Sequence, residues 1–235
     1  MTWVTFVTCV TCVTLPASPE EASMLKIYGH PGSRAARPLW VCRELGLQYE
    51  HVPTHFADGG TKSQEFLAIN PAGRIPAIDD DGFCLAESMA INIYLAKKHG
   101  GELAPKSLED EARMLQWSFW AMTEAEKPLL TVYMQRAELP AGSEIEKYFR
   151  ARSPKDPATE QAAIKALEHP LSVLNGQLAK HQYLLGDSFT LADLNVASVL
   201  SMGLAAKFDF SPYPNVQQWL GRCVSRPAAR PPKKS

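Results

Sequence analysis

The chain has 235 residues, with 24 Lys plus Arg against 25 Asp plus Glu and a formal net charge of -1. That length suits one large domain or two modest ones with a well-buried core. Near-balanced charge with scattered basic residues argues against a nucleic-acid backbone or an acidic membrane as main partner, since both favour a basic excess.

Residues 1–23 begin with a run of Val, Thr and Cys, β-prone and uncharged. The run lacks the basic start of a signal peptide and is too short and Thr-rich for a membrane span. It is expected to be a disordered lead or an over-long reading of the gene, outside the fold. Five cysteines (Cys9, Cys12, Cys42, Cys84, Cys223) are odd in number and irregularly spaced. They form neither a disulfide framework nor a zinc site, which fits a reducing cytoplasm. Cys9 and Cys12 make a C-x-x-C, but within the Val/Thr run and not on a strand-to-helix turn.

From Leu25 to Tyr28 an apolar run reads as a strand, ending in the turn cluster Gly29-His30-Pro31-Gly32-Ser33. Helical spacing from Ala35 to Leu45 (Leu39, Val41, Cys42, Leu45) stops at Gly46. Gln48 to Pro53 reads as a second strand and Ser63 to Ile69 as a short helix. Asp80-Asp81-Gly82 reads as a hairpin turn between Ala77-Ile78 and Phe83-Leu85, before a helix from Glu87 to Lys98. This order gives a parallel βαβ pair, an antiparallel hairpin and helices on both faces, a small complete α/β domain.

After it no strand pattern returns. Glu109 to Arg136 reads as one long helix with a kink at Pro128. Further helices are expected from Ala158 to Lys180, Thr190 to Phe208 and Val216 to Ser225. The expected organisation is an extension at 1–23, an α/β domain at 24–103, a linker at 104–110 and an all-helical bundle at 111–235.

Four stretches can carry chemistry or simply structure. Ser33, in the turn HPGSRAAR, enters a helix where open N–H groups and the dipole favour an anion; the structural alternative is an N-cap. No His/Asp pair or G-x-S-x-G makes it a triad nucleophile. In Asn70-Pro71-Ala72-Gly73-Arg74-Ile75-Pro76, a cis bond before Pro76 would turn the Ile75 backbone outward to pair with an extended peptide. Glu87-Ser88 opens a helix, where a hydroxyl and exposed N–H groups can hold a carboxylate and Glu87 can receive an ammonium; read alone, it is simply a helix start. Thr190-Leu191-Ala192-Asp193 is a capping box and reads as structural.

Taken together, in this order and spacing, these stretches resemble the cytosolic glutathione transferases from Met24 to about Arg226. The closest resemblance is to serine-type, phi-like and theta-like bacterial enzymes, whose turn also reads His-Pro-x-Ser. The resemblance implies a thioredoxin-like glutathione-binding domain followed by a helical domain that builds most of the second-substrate pocket. It implies that Ser33 hydrogen-bonds the glutathione sulfur and that Ile75, before a cis Pro76, pairs with the cysteinyl part. It places Glu87 and Ser88 at the γ-glutamyl end, and Thr61 and Lys62 at the glycyl carboxylate. Thr61 replaces the His common in phi enzymes, and Arg74 stands where Gln is usual.

The activity implied is transfer of glutathione to small hydrophobic electrophiles by a cytoplasmic homodimer, with glutathione as co-substrate and no metal. Alternatives are a specialised glutathione-dependent peroxidase, dehalogenase or etherase, or a non-catalytic glutathione-binding scaffold. Tyr28, at the end of the first strand, is the rival to Ser33, since other transferase classes place a catalytic Tyr there. Phe119, Trp120 and Met122, between Trp117 and Tyr133, are candidates for the electrophile pocket or for core.

Overall fold

The computed structural model describes residues 24–230, so the expectation for residues 1–23 lies outside the described residues. The first strand, β1 (Lys26–Gly29), leads into helix α1 (Ala36–Leu45). Gly46 ends α1 at φ 64, a left-handed conformation that glycine adopts without strain. Strand β2 (Glu50–Pro53) runs parallel to β1 with Val52 opposite Tyr28. Helix α2 (Gln64–Ile69) starts at Ser63, whose hydroxyl accepts the Phe66 N–H at 3.1 Å. Strands β3 (Ala77–Asp80) and β4 (Phe83–Ala86) form the hairpin, with Asp81 and Gly82 at φ 57 and 80 as its primed turn requires. Helix α3 (Ser88–His99) follows, and the sheet order is β2-β1-β3-β4.

The two faces of β1 explain where the helices lie. Ile27 is fully buried in a core that includes Ile78, Val41, Cys42, Ile91 and Leu95, from β3, α1 and α3. The next residue, Tyr28, points to the other face, where its ring lies 5.9 Å from Phe66 of α2.

The second half is helical: α4 (Leu108–Trp120), α5 (Glu126–Arg136), α6 (Glu144–Arg152), α7 (Pro157–Leu178), α8 (Leu191–Ala205) and α9 (Pro214–Ser225). One expectation is corrected here. The expected single helix from Glu109 to Arg136 is divided by a π-helical turn at Ala121–Ala125 instead of kinking at Pro128. Pro128 has no N–H for the carbonyl four residues back, that of Glu124, and the widened turn contains that residue. Helix α6 lies in a stretch where no element was expected. Its start is a capping arrangement, with Ser143 Oγ accepting the Glu146 N–H at 3.2 Å and Glu146 accepting the Gly142 N–H at 2.6 Å.

Buried polar groups lock the bundle. The carboxylate of Asp193, fully buried, accepts from Leu184 N–H, Thr190 N–H, the Thr190 hydroxyl and Trp219 Nε1 at 2.8–2.9 Å. Burial raises its pKa, and those four donors oppose the rise. Asn92 of α3 donates to Asn195 of α8 at 2.7 Å, and Asn195 donates to Ser118 of α4 at 2.9 Å. The apolar core is continuous through this junction, running from Leu39 and Ile91 to Leu129 and Leu200. Among the described residues, no helix is long and apolar enough to cross a membrane.

Candidate functional site

The turn after β1 carries Ser33. Its hydroxyl donates to the His30 carbonyl at 2.6 Å and accepts the Ala35 N–H at 3.2 Å. The Ser33 N–H reaches the same carbonyl at 2.9 Å. Helix α1 is preceded by Ala35 at its N-cap, so Ser33 stands in the turn before the helix and does not cap it. His30 Nδ1 accepts the Gly32 N–H at 3.0 Å, which fixes the bend between Pro31 and Ser33. Burial, with His55 and His51 nearby, lowers the His30 pKa and favours the neutral ring that this bond needs.

The loop before β3 closes against this turn. A Cβ on Gly29, at φ +149, would lie 2.5 Å from the Ala35 Cβ and 3.5 Å from the Ile75 Cβ. Only a glycine lets β1, the Ser33 turn and the Ile75 loop meet so closely. The Ile75–Pro76 bond is cis. Among the described residues, no hydrogen bond reaches the Ile75 N–H or C=O, just ahead of the first paired residue of β3. Asn70 braces the loop, donating to the Arg74 carbonyl at 2.6 Å and accepting the Ala72 N–H at 3.1 Å. The Arg74 side chain is exposed. Thr61 and Lys62 lie in a short 3-10 turn, Thr61 buried and Lys62 exposed. A Cβ on Gly73 would lie 2.6 Å from Lys62 Nζ, so that ammonium rests on the same loop.

Glu87 precedes α3 at φ 70, a positive value unusual for a residue with a side chain. It is exposed, whereas Ser88 is buried. Ser88 Oγ accepts from Arg37 Nη1 at 3.0 Å, which ties the start of α3 to α1. Arg37 is itself paired through Nη2 with Glu126 at the start of α5, and Arg34 donates to the same carboxylate oxygen at 2.7 Å. Burial raises the Glu126 pKa, but the two arginines outweigh it and hold the carboxyl below its usual value. Neither the Arg37–Glu126 pair nor the Arg34 contact was foreseen from sequence. The partners lie 89 and 92 residues apart, and no local pattern joins them.

Tyr28 faces α2. Its side chain shares the α2 face with Asp79 and Glu50, and burial together with those carboxylates raises its pKa.

The aromatic residues of the second half divide. Trp117 is buried and Phe119 is 66% exposed. Trp120 joins Trp117, Val173 and Lys180 around a cavity of about 430 Å³ between α4 and α7, separate from the Ser33 turn. Met122 does face the first half, with Sδ 3.5 Å from Arg37. A further aromatic cluster involves α6, where Tyr148 and Phe149 lie 5.0 and 6.0 Å from Phe56. Phe56 stacks on His55, whose ring meets His30 edge-on at 4.8 Å. The Ser143-x-x-Glu146 spacing was the available signal for α6. Among the described residues, no cluster of His, Cys, Asp and Glu is arranged to hold a metal ion.

A four-stranded mixed sheet with a cis-proline loop beside the first strand end is continued by a helical bundle. The family model for the glutathione S-transferase N-terminal domain matches residues 23–97, and that for the C-terminal domain matches residues 122–227. Glutathione S-transferase PARB of Nicotiana tabacum is 32% identical over 213 residues, 87% of this chain and 94% of the relative. Glutathione S-transferase 3 of Zea mays is 32% identical over 87% of this chain and 90% of its own. Among solved structures, glutathione S-transferase-I bound with lactoylglutathione superposes with TM-score 0.77 at 30% identity, covering 88% of this chain and 96% of that one. A theta-class enzyme of Xanthomonas axonopodis pv. citri with glutathione bound matches with TM-score 0.77 at 25% identity, over 88% and 95% of the two chains. The chain belongs to the glutathione S-transferase family, with its thioredoxin-like first half and helical second half.

Proposed function

We propose that this enzyme transfers glutathione, as its thiolate, to small hydrophobic electrophiles, with Ser33 as the catalytic hydroxyl. The observation that carries this is the convergence of the Ser33 turn, the Ile75 loop and the arginine-linked start of α3 around the end of β1. In this reading the Ile75 backbone pairs with the cysteinyl residue. Glu87 and Ser88 take the γ-glutamyl end, and Thr61, Lys62 and Arg74 stand on the glycyl side.

A free thiol of pKa ~8.5 is only a few per cent ionised at neutral pH, and the thiolate is the nucleophile. Lowering that value by two units needs about 2.7 kcal/mol, within the range of one charge-assisted hydrogen bond and a nearby helix terminus. Ser33 can supply the bond at small cost. When its hydroxyl turns to the sulfur, the His30 carbonyl keeps the Ser33 N–H at 2.9 Å. The Ala35 N–H, donating to Oγ at 3.2 Å, polarises the hydroxyl and makes it a better donor.

The domains in this reading are 24–103 and 111–235, joined by 104–110. A cytoplasmic homodimer is the assembled form, and light scattering that shows a stable monomer at micromolar concentration removes the dimer. The test of the chemistry is Ser33→Ala, assayed with glutathione and a chlorodinitrobenzene-type electrophile. Glutathione binding persists, while turnover at neutral pH falls roughly ten- to a thousand-fold and partly recovers as pH rises. Near-ultraviolet absorbance of the bound thiolate, titrated in Ser33→Ala and Tyr28→Phe, separates the two hydroxyls. If Tyr28→Phe loses the titration and Ser33→Ala keeps it, the assignment to Ser33 is wrong.

A further inference from the structure

Arg37 lies in the first turn of α1 with its side chain only 3% exposed, a position that strongly selects for paired charge. Its guanidinium is shared. Nη2 faces Glu126, and Nη1 reaches Ser88 Oγ at 3.0 Å and Met122 Sδ at 3.5 Å. The rigid fork thus joins α1, the start of α3 and the junction of α4 with α5. Ser88 accepts this bond, so its hydroxyl proton stays free for another acceptor. Among the described residues, that hydroxyl donates to no protein group. Ser88 is also the first residue of α3, where open backbone N–H groups and the helix dipole add to the field of the guanidinium.

We propose that Arg37 is a positioning residue for glutathione: it holds the Ser88 oxygen so that the hydroxyl proton points at the γ-glutamyl α-carboxylate, and Glu126 fixes Arg37 from the helical half. The inference rests on Ser88 contacting that carboxylate. A Lys at this position keeps a charge opposite Glu126 but lacks a planar fork to reach both partners. Affinity for glutathione therefore depends on a contact between the two halves of the chain, although neither Arg37 nor Glu126 touches the tripeptide.

The experiment is calorimetry and steady-state kinetics on Ser88→Ala, Arg37→Lys and the double variant. Two probes are used: glutathione, and an analogue lacking the α-carboxylate of its γ-glutamyl residue. Ser88→Ala and Arg37→Lys should each weaken glutathione binding about ten-fold, and for Arg37→Lys kcat at saturating glutathione should stay within about two-fold of wild type. The double variant should bind no more weakly than Ser88→Ala alone. The analogue should bind wild type and Arg37→Lys equally, which a general loosening of the fold would not allow. A double variant showing the product of the two single losses overturns the inference while leaving Ser88 in the site. Equal weakening of the analogue overturns it in favour of a purely structural arginine. An unchanged affinity in Ser88→Ala instead removes Ser88 from the site, a failure of the underlying assignment. Should Arg37→Lys not fold, Arg37→Gln combined with Glu126→Gln removes both charges together, and the same comparison applies.

Discussion

Replacing Asp193 with alanine strands three buried or half-buried N–H groups at once. Leu184 N–H and Trp219 Nε1 share one carboxylate oxygen, and Thr190 N–H uses the other, together with a hydroxyl that is free to rotate. Each stranded donor costs about 1–3 kcal/mol, so the low end of the range already gives about 3 kcal/mol before any cavity is counted. Asp193→Asn is gentler. Its remaining carbonyl keeps the Leu184 and Trp219 bonds, and only the Thr190 N–H faces an amide donor, for about half the loss. For a chain of this size 1 kcal/mol moves the melting temperature by about 2–4 °C, so Asp193→Ala should melt at least about 6–12 °C below wild type. Trp219, fully buried beside the carboxylate, reports the transition by fluorescence in a denaturant titration. Activity per folded molecule at low temperature should be near normal. An Asp193→Ala protein that melts within about 2 °C of wild type, or an Asn variant less stable than the Ala one, would refute the reasoning.

Glu87→Gly should stabilise the fold by about 1 kcal/mol, because φ 70 costs a glycine nothing, while weakening glutathione binding. Thermal melting and calorimetry on the same sample check both signs. Glu126→Gln should cost about 3 kcal/mol at neutral pH by leaving Arg37 buried without its partner. The folded pKa of Glu126 is depressed, so its contribution is fully present above the unfolded value of about 4.3 and is lost as pH falls through the folded one. The gap between the two melting curves should therefore close below about pH 4, and a gap constant from pH 7 to 3 contradicts the ion-pair account. Gly203→Ala should lose about 1–3 kcal/mol, since its Cβ would lie 2.7 Å from the Phe210 ring and 3.1 Å from Leu129. An unchanged denaturation midpoint would show that Phe210 moves freely.

Where chain direction is set by local chemistry, the sequence alone was sufficient. Gly46 ends α1 in the left-handed region and Asp81-Gly82 turns the hairpin, both because few residues other than Gly, Asn and Asp tolerate those angles. Asp193 was legible as a cap, but its bonds to Leu184 and Trp219 come from elsewhere in the fold. Ser33 was placed at a helix start and stands instead in the preceding turn, with helix entry falling to Ala35, which offers no capping side chain. The division at Ala121–Ala125 escaped notice because Pro128 was the visible helix breaker, whereas the irregularity falls upstream of it. Helix α6 was missed because Pro140, Pro154 and Pro157 bracket a segment with no fully buried residue, so no apolar stripe announced it. Arg37 and Glu126 look like ordinary surface charges until the chain folds. Their pairing is a tertiary fact.

The π-helical turn at Ala121–Ala125 can be considered as a phase shift. Each residue of an α-helix advances the side-chain direction by about 100°, so one residue of slack ahead of α5 rotates everything after it by that amount relative to α4. Glu126 is the first residue beyond the slack, and it is the carboxylate that Arg34 and Arg37 share. Restoring a regular α-helix through the turn without removing a residue would swing Glu126 about 100° off that axis. Composition, length and apolar content of the helix would barely change, yet α1 would lose its anchor in the other half. The wide turn thus sets the relative timing of two helical faces, one that packs the bundle and one that meets the first half, and lets each be tuned without disturbing the other.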